Sequence, residues 1–255
     1  MENRTPFIQI RNLRKIYPTQ TGEICAIQDV TFDVYRGEFI TLVGPSGCGK
    51  TTLLKIISGL LTKTDGELTF SSGGDFDPRR GVGMVFQKPV LLKWRSILEN
   101  VLLPVEILRL NRQPYIPRAM ELLDLVGLKG FEKSYPNELS GGMQQRASIS
   151  RALIHEPQLL LMDEPFGALD ALTREKMNLE ILRIWQETRK TVLFVTHGIQ
   201  EAVFLADRVV VLSARPARMV AALDVNLPRP RTMEVKAEKE FGQLCLEIYR
   251  LLEEK

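Results

Sequence analysis

Cysteine is scarce in this sequence: Cys25, Cys48 and Cys245 are the only three among 255 residues. They lie far apart and form no CxxC pair or Cys/His cluster, so the pattern indicates no zinc site. Their odd number and wide spacing also exclude a disulfide framework of the kind found in small secreted domains. A reducing cytosol suits this composition.

Long apolar runs and a surplus of one charge are also missing. No uninterrupted apolar stretch approaches the ~18 residues that a membrane-spanning helix requires, and Met1–Pro6 lacks the apolar core of a signal peptide. If the protein serves a membrane, we therefore expect another chain to span it. Lys and Arg number 34 against 31 Asp and Glu, which gives a net charge of +3. Because the positive charges are dispersed, nucleic acid is not the expected partner.

Five short apolar runs with many β-branched residues predict buried parallel strands. They are Phe39–Val43, Val82–Phe86, Leu159–Met162, Val192–Thr196 and Val209–Leu212. Helical patterns lie between them, notably Lys50–Ser58 and the amphipathic Ala171–Thr188, so the sequence predicts an α/β sheet covered on both faces. The length fits one large domain or one domain with an insertion.

The two ends of the chain have different periodicities. Phe7–Ile10 and Ala26–Val34 alternate apolar with polar residues, which predicts a half-exposed antiparallel sheet. An apolar stripe between Phe241 and Leu252 predicts a C-terminal helix docked on the core.

The strand signal is absent between residues 88 and 155, where the pattern predicts a helical insertion. The expected helices are Ile97–Val105, Arg118–Val126 and Gly142–Ile154. His155 follows this region beside Glu156 and Pro157 and matches no motif. We therefore expect it to be a solvated helix cap.

A glycine-rich motif follows the predicted strand Phe39–Val43. It reads Gly44-Pro45-Ser46-Gly47-Cys48-Gly49-Lys50-Thr51 and matches the P-loop pattern G-x-x-x-x-G-K-[ST]. Its glycines let backbone N–H groups curl around phosphate oxygens, and the helix that follows adds the positive end of its dipole. Lys50 can reach the β- and γ-phosphates, and Thr51 offers a hydroxyl to Mg²⁺. Cys48, beside Lys50, is expected to be a reactive thiol.

Two acids end the predicted strand Leu159–Met162. Charges are costly inside a core, so Asp163 and Glu164 are expected to have a function there. In phosphoryl transfer the first acid typically holds Mg²⁺ and the second can accept a proton from the attacking water. The alternative is that Glu164 caps a helix or pairs with a surface arginine.

A second anion-binding motif distinguishes among P-loop families. It reads Leu139-Ser140-Gly141-Gly142-Met143-Gln144-Gln145-Arg146, with a serine and two glycines at the start of a helical run. This motif resembles the signature sequence of ABC ATPases, with Met143 where glutamine is commoner. The resemblance implies that two cassettes pair head to tail, and that the signature of each completes the P-loop of the other.

The remaining motifs of this family follow in order along nearly the whole chain. Tyr17 resembles the A-loop aromatic that stacks on adenine. Gln87 resembles the Q-loop glutamine that senses Mg²⁺, the attacking water and the transmembrane partner. Ala168-Leu169-Asp170 resembles the D-loop that crosses the dimer interface. His197 resembles the switch histidine that contacts the γ-phosphate.

The resemblance implies a role for each motif residue. Catalysis is assigned to Glu164, His197 and Gln87, and Mg²⁺ to Thr51, Gln87 and Asp163. The ATP-binding residues are Tyr17, Gly44, Pro45, Ser46, Gly47, Cys48, Gly49, Lys50, Thr51 and Thr52. The residues assigned to the ATP of the partner protomer are Leu139, Ser140, Gly141, Gly142, Met143 and Gln144.

The resemblance also implies the fold, an α/β P-loop NTPase of the ABC cassette type. It would have a RecA-like core, an N-terminal antiparallel β subdomain and an inserted helical subdomain within one ABC ATPase domain, residues 1–255. The expected nucleotide-binding core is 1–88 with 156–220. The helical signature subdomain is expected at 89–155 and a C-terminal extension at 221–255.

The implied function is ATP hydrolysis that drives import of a small solute. The implied partners are a second cassette, with a homodimer expected although the sequence does not distinguish an identical from a different cassette, transmembrane permease subunits and, indirectly, an extracytoplasmic solute-binding protein. The chain is expected on the cytoplasmic face of the membrane. Phe166–Arg174 is similar to importer cassettes. Ser213–Arg218, Leu227–Arg231 and Leu91–Ser96 resemble the nitrate/sulfonate/taurine branch, although Lys93 replaces the usual proline.

Two alternatives stay open at this point. A soluble ABC ATPase would act without a permease. A P-loop small-molecule kinase would transfer the phosphoryl group to an acceptor rather than to water, but it leaves Leu139–Gln145 and His197 without an explanation.

Overall fold

Strands and helices alternate along the chain as the apolar pattern predicts. The computed structural model describes residues 5–20, 22–71, 76–167 and 169–253. The described strands are β1 Ile8–Thr19, β2 Gly22–Val34, β3 Phe39–Val43, β4 Asp65–Phe70, β5 Val82–Val85, β6 Leu159–Asp163, β7 Thr191–Thr196, β8 Arg208–Leu212 and β9 Met219–Asp224. The described helices are α1 Lys50–Ile57, α2 Pro78–Gly81, α3 Ile97–Val101, α4 Leu103–Ile107, α5 Tyr115–Leu125, α6 Gly141–Leu153, α7 Ala171–Thr188, α8 Ile199–Leu205 and α9 Lys239–Glu253.

The chain forms two compact units. The first, unit 1, consists of Met1–Arg79 and Thr191–Lys255, and the second, unit 2, of Arg80–Lys190. Among the described residues of both units, no helix combines the length and the apolarity needed to cross a bilayer.

Unit 1 contains the predicted antiparallel sheet, in the strand order β2-β1-β4. Ile8 of β1 pairs with Val34 on one side and with Phe70 on the other. Strand β4 was not predicted. Its residues alternate between exposed and half-buried, and the segment DGELTF holds too few apolar residues to produce a strand pattern.

Unit 1 also contains parallel strands, in the order β7-β3-β8, with β9 antiparallel to β8 at the edge. Every residue of β3 and β7 is buried, as expected for strands covered on both faces. Val43 pairs with Thr196 of β7 and with Val211 of β8, so the carboxyl ends of the three strands are level. The residues that follow these strands therefore share one edge of the sheet, where ligands bind in open α/β folds. Strand β9, half-exposed and at the edge, was also not predicted.

The C-terminal helix α9 docks as predicted. It buries Phe241 and Ile248 from its apolar stripe and packs against α8 and β8. Before it, Arg231 is 4% exposed, and its guanidinium donates to the carbonyls of Val203, Phe204 and Ala206 at 3.2, 3.0 and 2.7 Å. Arg231 thus satisfies the last carbonyls of α8, which have no partner within the helix.

Unit 2 contains the parallel pair β5 and β6, with Val85 opposite Met162. Helices α3 to α6 lie between these two strands in the sequence, which confirms the predicted helical region. The single helix predicted at 97–105 is wrong, however, because the chain forms α3 and α4 with a break at Leu102. Pro104 stands in the first turn of α4, where its missing N–H costs no hydrogen bond.

The prediction for His155 is also wrong. Its Nε2 lies 3.2 Å from the carbonyl oxygen of Val82, and its Nδ1 is buried. Burial lowers the pKa of His155, so the neutral imidazole is favoured. The residue is thus part of the packing of β5 rather than a solvated cap.

Candidate nucleotide-binding site

The P-loop lies between the carboxyl end of β3 and the first turn of α1. Gly47 and Gly49 have φ angles of +72° and +129°, which favour glycine. A Cβ on Gly44 would lie 2.8 Å from the main-chain oxygen of Leu212, and one on Gly49 would lie 2.8 Å from that of Ala26. The glycines are therefore required by backbone conformation and by close packing, as a phosphate nest demands.

Lys50 holds its ammonium group over this loop. The residue is 4% exposed, and its Nζ donates to the carbonyls of Gly44 at 2.7 Å and Pro45 at 2.9 Å. A buried cation fixed at the mouth of a nest of N–H groups is suited to the terminal phosphates of a nucleotide.

The burial of Cys48 does not fit the prediction of a reactive thiol. Its side chain is 1% exposed and points into the packing, and its Sγ would lie 3.0 Å from a Cβ on Gly44. Reagents reach a thiol only when it is accessible, so burial outweighs the favourable charge of the loop.

Unit 1 places two further predicted residues beside the P-loop. The hydroxyl groups of Tyr17 and Thr52 lie 3.4 Å apart, which links β1 to the start of α1. The Nζ atom of Lys15 lies 5.1 Å from the centre of the Tyr17 ring. His197 is exposed directly after β7, level with the start of the P-loop. Tyr17, the P-loop and His197 are thus gathered in one unit.

Unit 2 carries the acids and the predicted glutamine. Asp163 ends β6 and is 8% exposed. Glu164 follows with φ +43°, a left-handed conformation that is uncommon for a residue with a side chain and that clusters at functional sites. A Cβ on Gly167 would lie 3.5 Å from Nε2 of Gln87 and 3.7 Å from Oε2 of Glu164. The amide and the carboxylate therefore approach the same glycine.

The signature and the D-loop line one cavity in unit 2. Ser140 caps α6, since its Oγ accepts from the N–H of Met143 at 3.3 Å. Asp170 caps α7 by accepting from the N–H of Thr173 at 3.0 Å, and the hydrogen bonds from Thr173 lower the pKa of Asp170. The cavity of about 510 Å³ is lined by both caps, by Gly141, Gly142 and Met143, and by Leu169. Ala168 lies outside the described residues.

Two residues that support these loops, Arg215 and Arg174, were not predicted. Arg215 donates to the carbonyl of Gly47 in the P-loop at 3.0 Å. Arg174 donates to the carbonyls of Phe166 and Leu169 beside the D-loop. Arg174 lies in Phe166–Arg174 and Arg215 in Ser213–Arg218, two segments whose sequences indicated only a subgroup of the family. The contact of Arg215 joins residues 168 positions apart, so it leaves no local pattern in the sequence.

A glycine-rich P-loop at the end of the parallel strand β3, with the buried Lys50 over it and His197 level with its start, defines a P-loop nucleotide-binding protein. The sequence profile of the protein family described as "ABC transporter" matches residues 27–167. The chain belongs to the ABC transporter family, which confirms the predicted family and fold class.

Individual relatives match most of the chain. It is 45% identical over 232 residues to the taurine import ATP-binding protein of Rhizobium johnstonii, covering 89% of this chain and 88% of that protein. It is 39% identical over 243 residues to the aliphatic sulfonates import ATP-binding protein of Bacillus cereus, covering 95% of each. A bacterial ABC transporter cassette solved as a dimer has a TM-score of 0.74 at 34% identity, covering 87% of this chain and 100% of that one. That cassette is also known in a post-hydrolysis state bound to ADP and Pi.

Proposed function

We propose that the protein is the ATP-hydrolysing subunit of an importer and energises uptake of a small solute through a separate permease. The observation that carries the proposal is the P-loop, whose Gly44 and Gly49 have no room for a side chain and whose Lys50 is fixed over the nest. Relatives at 39% and 45% identity are import ATP-binding proteins, which supports the transport role.

In the proposed reaction, residues 44–52 hold the phosphates and Tyr17 stacks on the adenine. Glu164 accepts a proton from the attacking water, and His197 and Gln87 orient the γ-phosphate and that water. The left-handed backbone at Glu164 supports this role, because strained backbone conformations of this kind cluster at active sites, where they fix the direction of a side chain. A positioned general base typically contributes 10²–10⁴-fold to the rate.

Mg²⁺ is the metal that this donor set fits. Thr51, Gln87 and Asp163 offer hydroxyl, amide and carboxylate oxygens, the hard ligands that Mg²⁺ prefers. Bound with ATP, the ion would neutralise charge on the phosphate oxygens.

We further propose that two copies of this chain form the ATPase. The signature and the described D-loop residues line one open cavity, with Ser140 and Gly141 exposed. The exposed start of α6 offers N–H groups to an anion from outside the molecule. A similar cassette is known as a dimer, which supports this arrangement.

The proposed cargo is a small anion or zwitterion of the sulfonate, taurine or nitrate kind. The import proteins for taurine and for aliphatic sulfonates support this class. The permease and an extracytoplasmic binding protein would select the cargo, and this chain would act at the cytoplasmic face of the membrane.

The test compares Glu164→Gln with the matched control Glu121→Gln, an exposed acid on α5. Loss of the general base should lower phosphate release from ATP by about 10²-fold or more while ATP still binds, and the control should keep wild-type activity. Unchanged turnover in a folded Glu164→Gln protein would contradict the assignment. Transfer of the phosphoryl group to an acceptor would indicate a kinase, and failure to co-purify with a co-expressed permease would indicate a permease-free ATPase.

A further inference from the structure

The segment that carries Gln87 is held at both ends by helix α6. At its start, Gln145 donates from Nε2 to the carbonyl of Phe86 at 3.2 Å. At its end, the guanidinium of Arg151 donates to the carbonyl of Pro89 at 2.8 Å and to that of Val90 at 2.7 Å. Gln145 and Arg151 are 2% and 8% exposed, so these contacts are shielded from water.

The second end of this segment has a strained backbone. Val90 has φ +47°, a left-handed conformation that is a genuine outlier for a β-branched residue. Its side chain is 60% exposed, so packing of the side chain does not enforce the conformation. Such strain persists only where surrounding contacts determine the backbone. The contact at this position is the hydrogen bond from Arg151 to the carbonyl of Val90.

The chain beyond Val90 is fixed separately. Asn100 is fully buried and accepts from the N–H of Leu92 at 2.7 Å. Its Nδ2 lies 3.0 Å from the carbonyl oxygens of Leu92, Arg95 and Ser96. We therefore expect residues 92–96 to keep their conformation when Arg151 is replaced. Arg151 contacts the end of the segment 86–90, at Pro89 and Val90; this segment begins at the Gln145 contact and contains Gln87.

We propose that Arg151 is a positioning residue for Gln87. It holds the segment 86–90 in its strained conformation and fixes that segment to the helix that begins at the signature serine, Ser140. The inference rests on the proposed function, because it assumes that Gln87 acts in ATP hydrolysis. The segment that contains Gln87 and the signature residues at the start of α6 would then move together.

An arginine suits this task better than a lysine. The planar guanidinium offers several N–H groups in a fixed fork and can hold two neighbouring carbonyls at once. Its buried charge strengthens both hydrogen bonds. A lysine would keep the charge but offers one compact ammonium on a flexible stem.

The experiment uses the full chain and measures kcat, nucleotide affinity and amide hydrogen exchange. Arg151→Met should lower kcat by about tenfold, the order of the left-handed penalty at Val90. Arg151→Lys keeps the charge and should give an intermediate loss. The affinity for a fluorescent ATP analogue should change less than twofold, because the P-loop is untouched. Amide exchange at residues 86–91 should accelerate.

Rescue separates positioning from general destabilisation. Asparagine tolerates the left-handed conformation, so Val90→Asn in the Arg151→Met background should restore most of kcat and of the exchange protection. Val90→Thr is the matched control, because threonine is β-branched like valine and should restore neither. Equal rescue by both substitutions, rescue by neither, or wild-type kcat in both Arg151 variants would overturn the proposal. Gln87→Ala is measured alongside: if it keeps wild-type kcat, the proposed role of Gln87 fails instead.

Discussion

Substitution of Gly49 by alanine tests whether the P-loop conformation is required. The structure gives two separate costs at this position. The φ angle of +129° is one that side-chain-bearing residues rarely adopt, and an added methyl group would lie 2.8 Å from the carbonyl oxygen of Ala26 and 3.3 Å from Cβ of Ala217. The backbone cost is about 1–2 kcal/mol, and overpacking against a neighbouring main chain adds about 1–3 kcal/mol.

Gly47 provides the internal comparison. Its φ is +72°, but an added Cβ would have nothing nearer than the Arg215 guanidinium at 3.9 Å. Gly47→Ala should therefore cost only the backbone term of about 1–2 kcal/mol. Gly242 in α9 is the control, because its Cβ would meet open space and alanine should stabilise a helix there by about 0.5–1 kcal/mol.

Urea denaturation and titration with a fluorescent ATP analogue measure these differences. We expect Gly49→Ala to unfold at clearly lower urea than Gly47→Ala, and both below wild type, with Gly242→Ala at or above wild type. ATP affinity should fall most in Gly49→Ala. If Gly49→Ala kept wild-type stability and ATP affinity, the close approach of the loop to Ala26 would not exist in solution, and the reasoning would be refuted.

Three further predictions concern residues outside the P-loop backbone. Arg231→Met should lower the free energy of unfolding by about 2–4 kcal/mol, because several buried carbonyls lose a charged donor; urea denaturation within 0.5 kcal/mol of wild type would contradict this. Burial lowers the pKa of His155 below its ordinary value of 6.5. As the pH falls, the imidazole is therefore protonated in the unfolded chain before it is protonated in the folded one. The free energy of unfolding should consequently decrease as the pH drops below 6.5. His155→Gln should therefore lose less stability than wild type between pH 7.5 and 5.5 in thermal melts, and an equal loss would argue against it. Maleimide should label the half-buried Cys25 and Cys245 before the buried Cys48, and mass spectrometry showing Cys48 labelled first would reverse that assignment.

The P-loop and the buried strands could be predicted because their signals are local. A glycine pattern between an apolar run and a helical run specifies both the turn and its ligand, and a fully buried strand such as β3 is apolar throughout. The caps at Ser140 and Asp170 also follow from residue type, since serine and aspartate commonly begin helices.

The rest of the fold and of the site depends on contacts between residues that lie far apart in the sequence, so no short segment predicts it. Strands β4 and β9 are half-exposed and gain their stability from their neighbours, so their sequences carry little signal. The left-handed backbone at Glu164 and Val90 is imposed by the surrounding fold, and the residue types alone would suggest the opposite. Arginine is mostly an exposed residue type, so the burial of Arg151 and Arg231 follows only from carbonyl partners that lie 61 and 25 residues away in the sequence.

The central claim is that the P-loop of one molecule and the signature of another close on one ATP. It is tested most directly by light-scattering mass measurement on Glu164→Gln with ATP, combined with cross-linking of Ser46→Cys to Ser140→Cys in a background lacking the native cysteines. Both positions are exposed. We predict a doubling of mass and an ATP-dependent disulfide between two copies. A protein that binds ATP yet stays monomeric, with no cross-link between copies, would contradict the claim.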